Sequence, residues 1–255
     1  MLLAIDAGNS HIVIGCIDGD EIVHVFRMNT DANKTADQYA AEVKSIFGFN
    51  GIDGGAFHGA IISSVVPGVN YALREAVRRL TGFAPIIVGA GIKTGLDIRI
   101  EDAAELGADA VCVSVAALEK YGAPCAVVDL GTATKILVLD RSGTYIGGAI
   151  APGVSISAGA LTERASMLPE VALEAPRRAV NGGTIDAIKS GIVFGAAAMI
   201  DGMIQRFSDE LGYELTVVAT GGIASRIIPH CREEITADDN LILDGLRLLY
   251  EKNKK

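Results

Sequence analysis

Residues 2–15 read LLAIDAGNSHIVIG. Four apolar residues lead into Asp6, a short turn runs through Ala7, Gly8, Asn9 and Ser10, and apolar residues resume at Ile12. The pattern predicts a strand that ends in a carboxylate, turns tightly and returns as a second strand. Glycine in such a turn lets the backbone approach a bound group closely, and successive turn N–H groups make a concavity for an anion. Asn9 and Ser10 add side-chain donors. Asp6, held at the strand end, is a hard oxygen ligand suited to Mg²⁺, directly or through water. Together these features suit a nucleotide polyphosphate.

Working outward, residues 2–6, 11–18 and 21–28 read as three successive antiparallel strands. KTADQYAAEVKSIFG (34–48) has helical periodicity, AIISSVV (60–66) reads as a buried strand, NYALREAVRRLTG (70–82) as a helix and APIIVG (84–89) as a strand. A long helical stretch is expected from about Ala103 to Tyr121. The programme then restarts, because CAVVDLGTATKILVLDRSGTYIGG (125–148) again alternates strand and turn, and Asp129-Leu130-Gly131 repeats Asp6-Ala7-Gly8. Helices are expected at about 155–168 and 184–211, a strand at 215–222, and a last helix in LDGLRLLYEKNKK. This repeated order predicts an α/β protein made of two duplicated domains, 1–112 and 113–255.

Composition narrows the function class. The chain has 255 residues, half of them hydrophobic, with 22 basic and 31 acidic side chains and a net charge of −9. That balance disfavours nucleic-acid backbones and anionic membrane surfaces as partners. No run reaches the roughly 18 uninterrupted apolar residues of a membrane span, and no basic-then-apolar leader opens the sequence. Cys16, Cys112, Cys125 and Cys231 are dispersed in apolar runs, as are His11, His24, His58 and His230 along the chain, which fits neither a disulfide framework nor a zinc site. A cytoplasmic location is the expectation.

Two further stretches complete a pattern. DLGTAT (129–134) is a second candidate phosphate turn, and ATGGIAS (219–225) offers small residues where a strand would end beneath an adenine ring. Taken in order, the three stretches resemble the phosphate-1, phosphate-2 and adenosine motifs of the actin/hexokinase/heat-shock-70 ATPase superfamily, whose fold is a duplicated RNase-H-like (actin-like ATPase) domain, each copy a mixed sheet flanked by helices. Within it, IDAGNSHIVIG, RMNTD, ISSVVPGV, VGAGIKTGLDI, ELGADAV, VVDLGTATK, GGAIAPGVSIS (147–157) and GGTIDAIKSGIVFG resemble type III pantothenate kinases along nearly the whole chain.

The resemblance implies transfer of the ATP γ-phosphoryl group to the 4′-hydroxyl of pantothenate, the first step of coenzyme A synthesis. It also implies Mg²⁺ with ATP, a monovalent cation (K⁺ or NH₄⁺), and a homodimer with the substrate site at its interface. Carried across, Asp6, Ala7, Gly8, Asn9, Ser10, His11, Ile12 and Val13 fall on the ATP phosphate turn, with Asp6 toward magnesium and Thr132 as a further ATP contact. Asp109 falls on the general base and Asp129 on the potassium ligand. Gly107, Ala108, Asp109 and Ala110 fall on the segment lining the substrate, together with Thr184 and Ile100. AGALTERASML (158–168) and GIVFGAAAMIDGM (191–203) would pack well between subunits or within a domain core.

Five positions depart from the family pattern. Ser10 stands for Thr, His11 for a small polar residue, Ile100 for Tyr, Ala110 for the Arg of GADR, and Lys135 for the Thr ending GTATT. Alanine at 110 removes a guanidinium that would hold an anionic substrate by two parallel hydrogen bonds. Lys135 suggests a compensation, its ammonium standing for the monovalent cation near Asp129 or neutralising phosphate. An active pantothenate kinase is the leading reading. The alternatives are a weakened paralogue that senses nucleotide or pantothenate, and a kinase for another small hydroxylated acid. By their sequence setting alone, Asp109 would serve as a helix cap, Asp129 as a turn former and Thr184 as an N-cap.

Overall fold

The structure is a computed structural model and describes residues 1–254. The opening hairpins form as the alternation predicts: β1 (Leu2–Ala7), β2 (His11–Asp18) and β3 (Glu21–Asn29) are antiparallel neighbours, with Asp6 paired to Val13 across the first hairpin. Helix α1 (Ala36–Phe49) begins at Thr35, whose hydroxyl accepts the Gln38 N–H while the Gln38 side chain accepts the Thr35 N–H, a reciprocal capping box. Strand β4 (Gly59–Ser64) then runs parallel to β1, helix α2 (Pro67–Thr81) follows, and β5 (Ile86–Ile87) is a two-residue edge. The resulting sheet has the order β3-β2-β1-β4-β5. Its core joins Leu3, Ile5, Ile12 and Ile14 of the sheet to Tyr39, Val43 and Phe47 of α1 and Val69, Leu73 and Val77 of α2.

The second half repeats this plan. Strands β6 (Cys125–Leu130), β7 (Ala133–Leu139) and β8 (Tyr145–Pro152) form the antiparallel set, β9 (Thr216–Thr220) runs parallel to β6, and β10 (Ile235–Ala237) adds a short edge. The order β10-β9-β6-β7-β8 is that of the first sheet read from its other edge. The duplication predicted from the two Asp-x-Gly turns is therefore present at the level of topology. Helix α5 (Thr184–Leu211) buries Val193, Ala197, Ile200 and Ile204 in one core with Ala126, Val128 and Val217 of this second sheet. By length and composition that helix would also cross a membrane, yet its buried stripe is a domain core and it carries Asp186, Lys189, Asp201 and Arg206.

Several expectations shift. The long helix foreseen from Ala103 starts later: Ala103–Glu105 is a single 3₁₀ turn capped by Asp102, and α3 runs Ala108–Tyr121. Helix α4 (Val154–Arg164) stops before the expected residue 168. The short α6 (Ala224–Ile227) and β10 were not foreseen. The division at 112 is also displaced. One compact unit comprises Met1–Leu96, Asp102–Ala116 and the segment from Leu241 onward; the other comprises Asp97–Glu101 and Ala117–Asn240. Helix α7 (Leu241–Asn253) packs on β1 and β4 of the first unit, so the last helix does not complete the second half. Its seat is made by absent side chains. A Cβ at Gly15 would press on Leu243, one at Gly59 would run into the Tyr250 hydroxyl, and one at Gly245 would run into the Cys112 carbonyl.

Candidate active site

In the first unit the site is built at the carboxyl ends of the parallel pair β1 and β4, where open α/β sheets place their ligands. Asp6 lies opposite Ser63 of β4 and is half-buried, whereas Ser63 is fully buried. Beyond Asp6 the turn closes tightly: the Gly8 N–H donates to the His11 carbonyl at 3.0 Å, and a side chain at 8 would stand 3.3 Å from that oxygen. Thr30, just past β3, holds the turn from outside. Its hydroxyl donates to the Gly8 carbonyl at 2.6 Å and its N–H to the Ser10 carbonyl at 3.1 Å. Asn9, Ser10 and His11 are exposed, Ala7 and Ile12 are buried, and Gly8 and Val13 are intermediate. Backbone fixed from behind and donors turned outward is the arrangement an anion needs.

Asp109 comes to the same end of the sheet because α3 begins at Ala108, which puts the carboxylate in the first helical turn, where a negative charge meets the positive end of the helix dipole. Its Oδ1 accepts the Ala110 N–H at 2.7 Å. Gly107 makes room: a Cβ there would lie 2.6 Å from Asp109 Oδ1 and 3.5 Å from Val65 Cγ1, just beyond β4. One turn on, Cys112 is fully buried, and its thiol is pushed well above the usual range. Burial is the main cause, the negative charge of Asp6 adds to it, the Ser63 hydroxyl opposes it, and the charge of Asp109 adds again. Gly107 lies against both Asp109 and Val65, the residue that follows β4, and Asp6 lies opposite Ser63 of β4, so the two carboxylates belong to the same end of the sheet. Ala110 is buried, at 4% exposure, so the methyl that stands for arginine is packed inward rather than offered to a ligand. Ile100 falls in Asp97–Glu101, which belongs to the second unit, so it is not assembled with Asp109 within one unit.

In the second unit the equivalent position is Asp129, at the end of β6, opposite Lys135 on β7 and Thr220 on β9. Lys135 Nζ lies 2.9 Å from Asp129 Oδ2, and each side chain is 17% exposed. The following turn exposes Gly131 and Thr132, with the Gly131 N–H donating to the Ala133 carbonyl at 3.1 Å. Two glycines seat this turn. A Cβ at Gly153 would lie 2.7 Å from the Gly131 carbonyl oxygen, and one at Gly221, whose φ of +104° favours glycine, would lie 2.5 Å from the Leu130 carbonyl oxygen. Thr184 is the first residue of α5 with Gly183 as its N-cap, so the N-cap role suggested by sequence is not the one it has; its side chain is exposed.

Sequence reasoning missed Thr30, Ser63, Gly153 and Gly221 as supports of the two turns. Gly153 and Gly221 lay inside GGAIAPGVSIS and ATGGIAS, but nothing local says which carbonyl a glycine must let pass. The donor sets differ in what they fit. Among the described residues no three His, Cys, Asp or Glu side chains form a metal cluster. A single carboxylate such as Asp6 fits Mg²⁺, which keeps water and phosphate as its other ligands. Beside Asp129 the position a monovalent cation would take is approached by the Lys135 ammonium, 2.9 Å from Oδ2.

The model of the family described as type III pantothenate kinase matches residues 2–206. Type III pantothenate kinases from Exiguobacterium sp. and Brevibacillus brevis are 44% and 45% identical over 255 and 254 residues, spanning 100% of each chain. That of Moorella thermoacetica is 41% identical over 253 residues, covering 99% of this chain and 100% of its own. Among solved structures, component A of (R)-2-hydroxyglutaryl-CoA dehydratase from Acidaminococcus fermentans superposes with a TM-score of 0.55 at 16% identity, covering 98% and 96% of the two chains. A ROK family glucokinase from Streptomyces griseus superposes with a TM-score of 0.52 at 13% identity, covering 98% of each. These distant likenesses show the fold, the actin-like ATPase plan of two mixed sheets flanked by helices. The family match over most of the length and the full-length relatives show the rest: this chain belongs to the type III pantothenate kinase family.

Proposed function

We propose that this protein is an ATP-dependent kinase that transfers the γ-phosphoryl group of ATP to the 4′-hydroxyl of pantothenate, opening coenzyme A synthesis. The observation that carries the reading is the placement of Asp6, beside the candidate phosphate turn, and Asp109, in the first turn of α3, at the same end of the first sheet. Phosphoryl transfer asks the protein mainly to position the reactants and balance charge. In this reading the N–H groups and side chains from Asp6 to Val13 bind the polyphosphate; in the second unit, Thr132 is an ATP contact. Mg²⁺, held through Asp6, neutralises charge on the phosphates. Asp109 accepts the substrate hydroxyl proton and aims its oxygen. Its Oδ1 is engaged by the Ala110 N–H, which orients the carboxyl group.

Gly107 and Ala108 line the acceptor in the first unit, and Ala110 contributes its N–H to Asp109. Without an arginine at 110, the carboxylate of pantothenate depends on hydroxyl and backbone N–H donors. The loss of one charge-assisted contact costs about 1.5–3 kcal/mol, a weaker KM rather than a lost reaction. The curated relatives carry the kinase name, and the comparisons give no support to a sensor or to a kinase for another acid. A homodimer fits the apolar side chains that α4 and its surroundings leave exposed, Ile156, Leu161 and Met167, and Ile185 beside Thr184. The reading places the enzyme in the cytoplasm, with no nucleic-acid or membrane partner.

The test is ATP consumption by purified protein with and without pantothenate. Pantothenate-dependent turnover is expected, and Asp109→Asn should lower kcat by roughly 10²- to 10⁴-fold with nucleotide binding retained. Turnover unaffected by Asp109→Asn, or none with pantothenate, would overturn the assignment.

A further inference from the structure

Asp129 and Lys135 meet where a kinase of this plan keeps its second phosphate turn, and they do so as a formed ion pair. They are direct cross-strand partners in the β6–β7 hairpin, three residues from Thr132. The Nζ–Oδ2 separation of 2.9 Å is that of a charge-assisted hydrogen bond, and both groups are largely withdrawn from solvent. The family resemblance implies a mobile monovalent cation at this carboxylate. We infer instead that the Lys135 ammonium is the resident cation of the second phosphate turn, so that this protein binds ATP and turns over without K⁺ or NH₄⁺. The inference rests on the kinase reading above for its ligand, and on the Asp129–Lys135 geometry for its substance.

The physical argument has three parts. A carboxylate beside a polyphosphate turn repels the ligand unless a positive charge sits with it, and that repulsion is strong where water is scarce. An ammonium and a potassium ion are close in size and carry the same charge, so either satisfies one carboxylate oxygen. The lysine, however, is tethered by its own strand: it cannot be diluted, and it pays no cost of capture from solution. Once it is in place, a free cation at Asp129 would face an ammonium within a few ångströms, and like charges at that range exclude each other. Threonine, the usual residue in relatives with the GTATT ending, has no charge to offer and would leave the carboxylate to an ion from solution.

The experiment measures nucleotide affinity, with a fluorescent ATP analogue and no acceptor, and turnover with pantothenate. Both are read for the wild type and for Lys135→Thr, in choline chloride and in KCl or NH₄Cl at constant ionic strength. The wild type should change less than about twofold between the salts. Lys135→Thr in choline chloride should lose about tenfold or more in affinity, the scale of one charge-assisted contact, and should regain it with K⁺ or NH₄⁺. Strong activation of the wild type by K⁺ would overturn the inference. So would a Lys135→Thr protein that binds equally well without the ion, or one that no monovalent ion rescues. The wild-type titration stands even if the variant fails to fold. Because binding is read without pantothenate, salt-independent ATP binding with no turnover would count against the acceptor assignment and not against Lys135.

Discussion

Gly107→Ala separates the placement of the proposed base from the stability of the fold. Gly107 has no positive φ, so alanine adopts its backbone without strain, and the added Cβ touches only side-chain atoms beyond its neighbours. Val65 Cγ1, at 3.5 Å, is in ordinary contact; Asp109 Oδ1, at 2.6 Å, must move by about 0.8 Å to reach the ordinary limit of 3.4 Å. That movement rotates the carboxyl away from the Ala110 N–H, whose 2.7 Å bond contributes about 0.5–1.5 kcal/mol. Replacing glycine by alanine returns about 0.4–1 kcal/mol through the unfolded chain. The two nearly cancel, so Tm should shift by no more than about 4 °C. Catalysis has no such offset, since a misplacement approaching 1 Å at a reacting group costs about 10²-fold. The assay is kcat and the KM values for ATP and pantothenate, beside a thermal melt. The expected result is kcat lower by about 10²-fold with KM for ATP and Tm little changed. A kcat within threefold of wild type in a folded protein would refute the claim that Asp109 acts from this position.

Two further outcomes follow from the packing and the buried thiols. Gly245→Ala drives a methyl into the Cys112 backbone of α3, which no rotamer change relieves, and should cost about 1–3 kcal/mol, read as a lower Tm with α7 more open to hydrogen exchange. Burial pushes Cys16 up to about 11 and Cys125 up to about 12, so thiol reagents at pH 8 should label these two only after unfolding. The same shifts set a sign for alkaline stability. Thiols with raised folded pKa values stabilise the native state fully below about pH 9 and progressively less as pH rises toward 11–12, so the melting temperature should fall across that window.

The strands around both Asp-x-Gly turns, the helices α1, α2 and α5, and the duplicated plan were legible because each is written in residues close together. Alternating apolar residues and a glycine turn make the Leu2–Asp18 hairpin whatever lies elsewhere, and the restart at Cys125 repeats the same local instruction. Local patterns of this kind also carried Asp6 and Asp129 as turn carboxylates, whereas Asp109 became a candidate only through the family resemblance, its own setting reading as a helix cap. The start of α3 differs from expectation because Ala103–Glu105 has helical composition yet closes as one 3₁₀ turn ended by the extended Leu106, and the α-helix starts only at Ala108. That break decides whether Asp109 is mid-helix or in the first turn of α3.

What the sequence by itself determined was therefore the inventory: two βββ-first halves, two phosphate turns and the carboxylates that end their strands. Tertiary structure decided the company each residue keeps. It gave α7 to the first unit, because Gly15, Gly59 and the Cys112 backbone form its seat from far along the chain. It brought Thr30 onto the Gly8 turn, Gly153 and Gly221 under the Leu130–Thr132 turn, and the Asp6 and Asp109 charges onto one buried thiol. The physical reason is range. Propensity and periodicity act over a few residues, whereas steric seats and electrostatic neighbours are set by surfaces that meet only after the chain has folded.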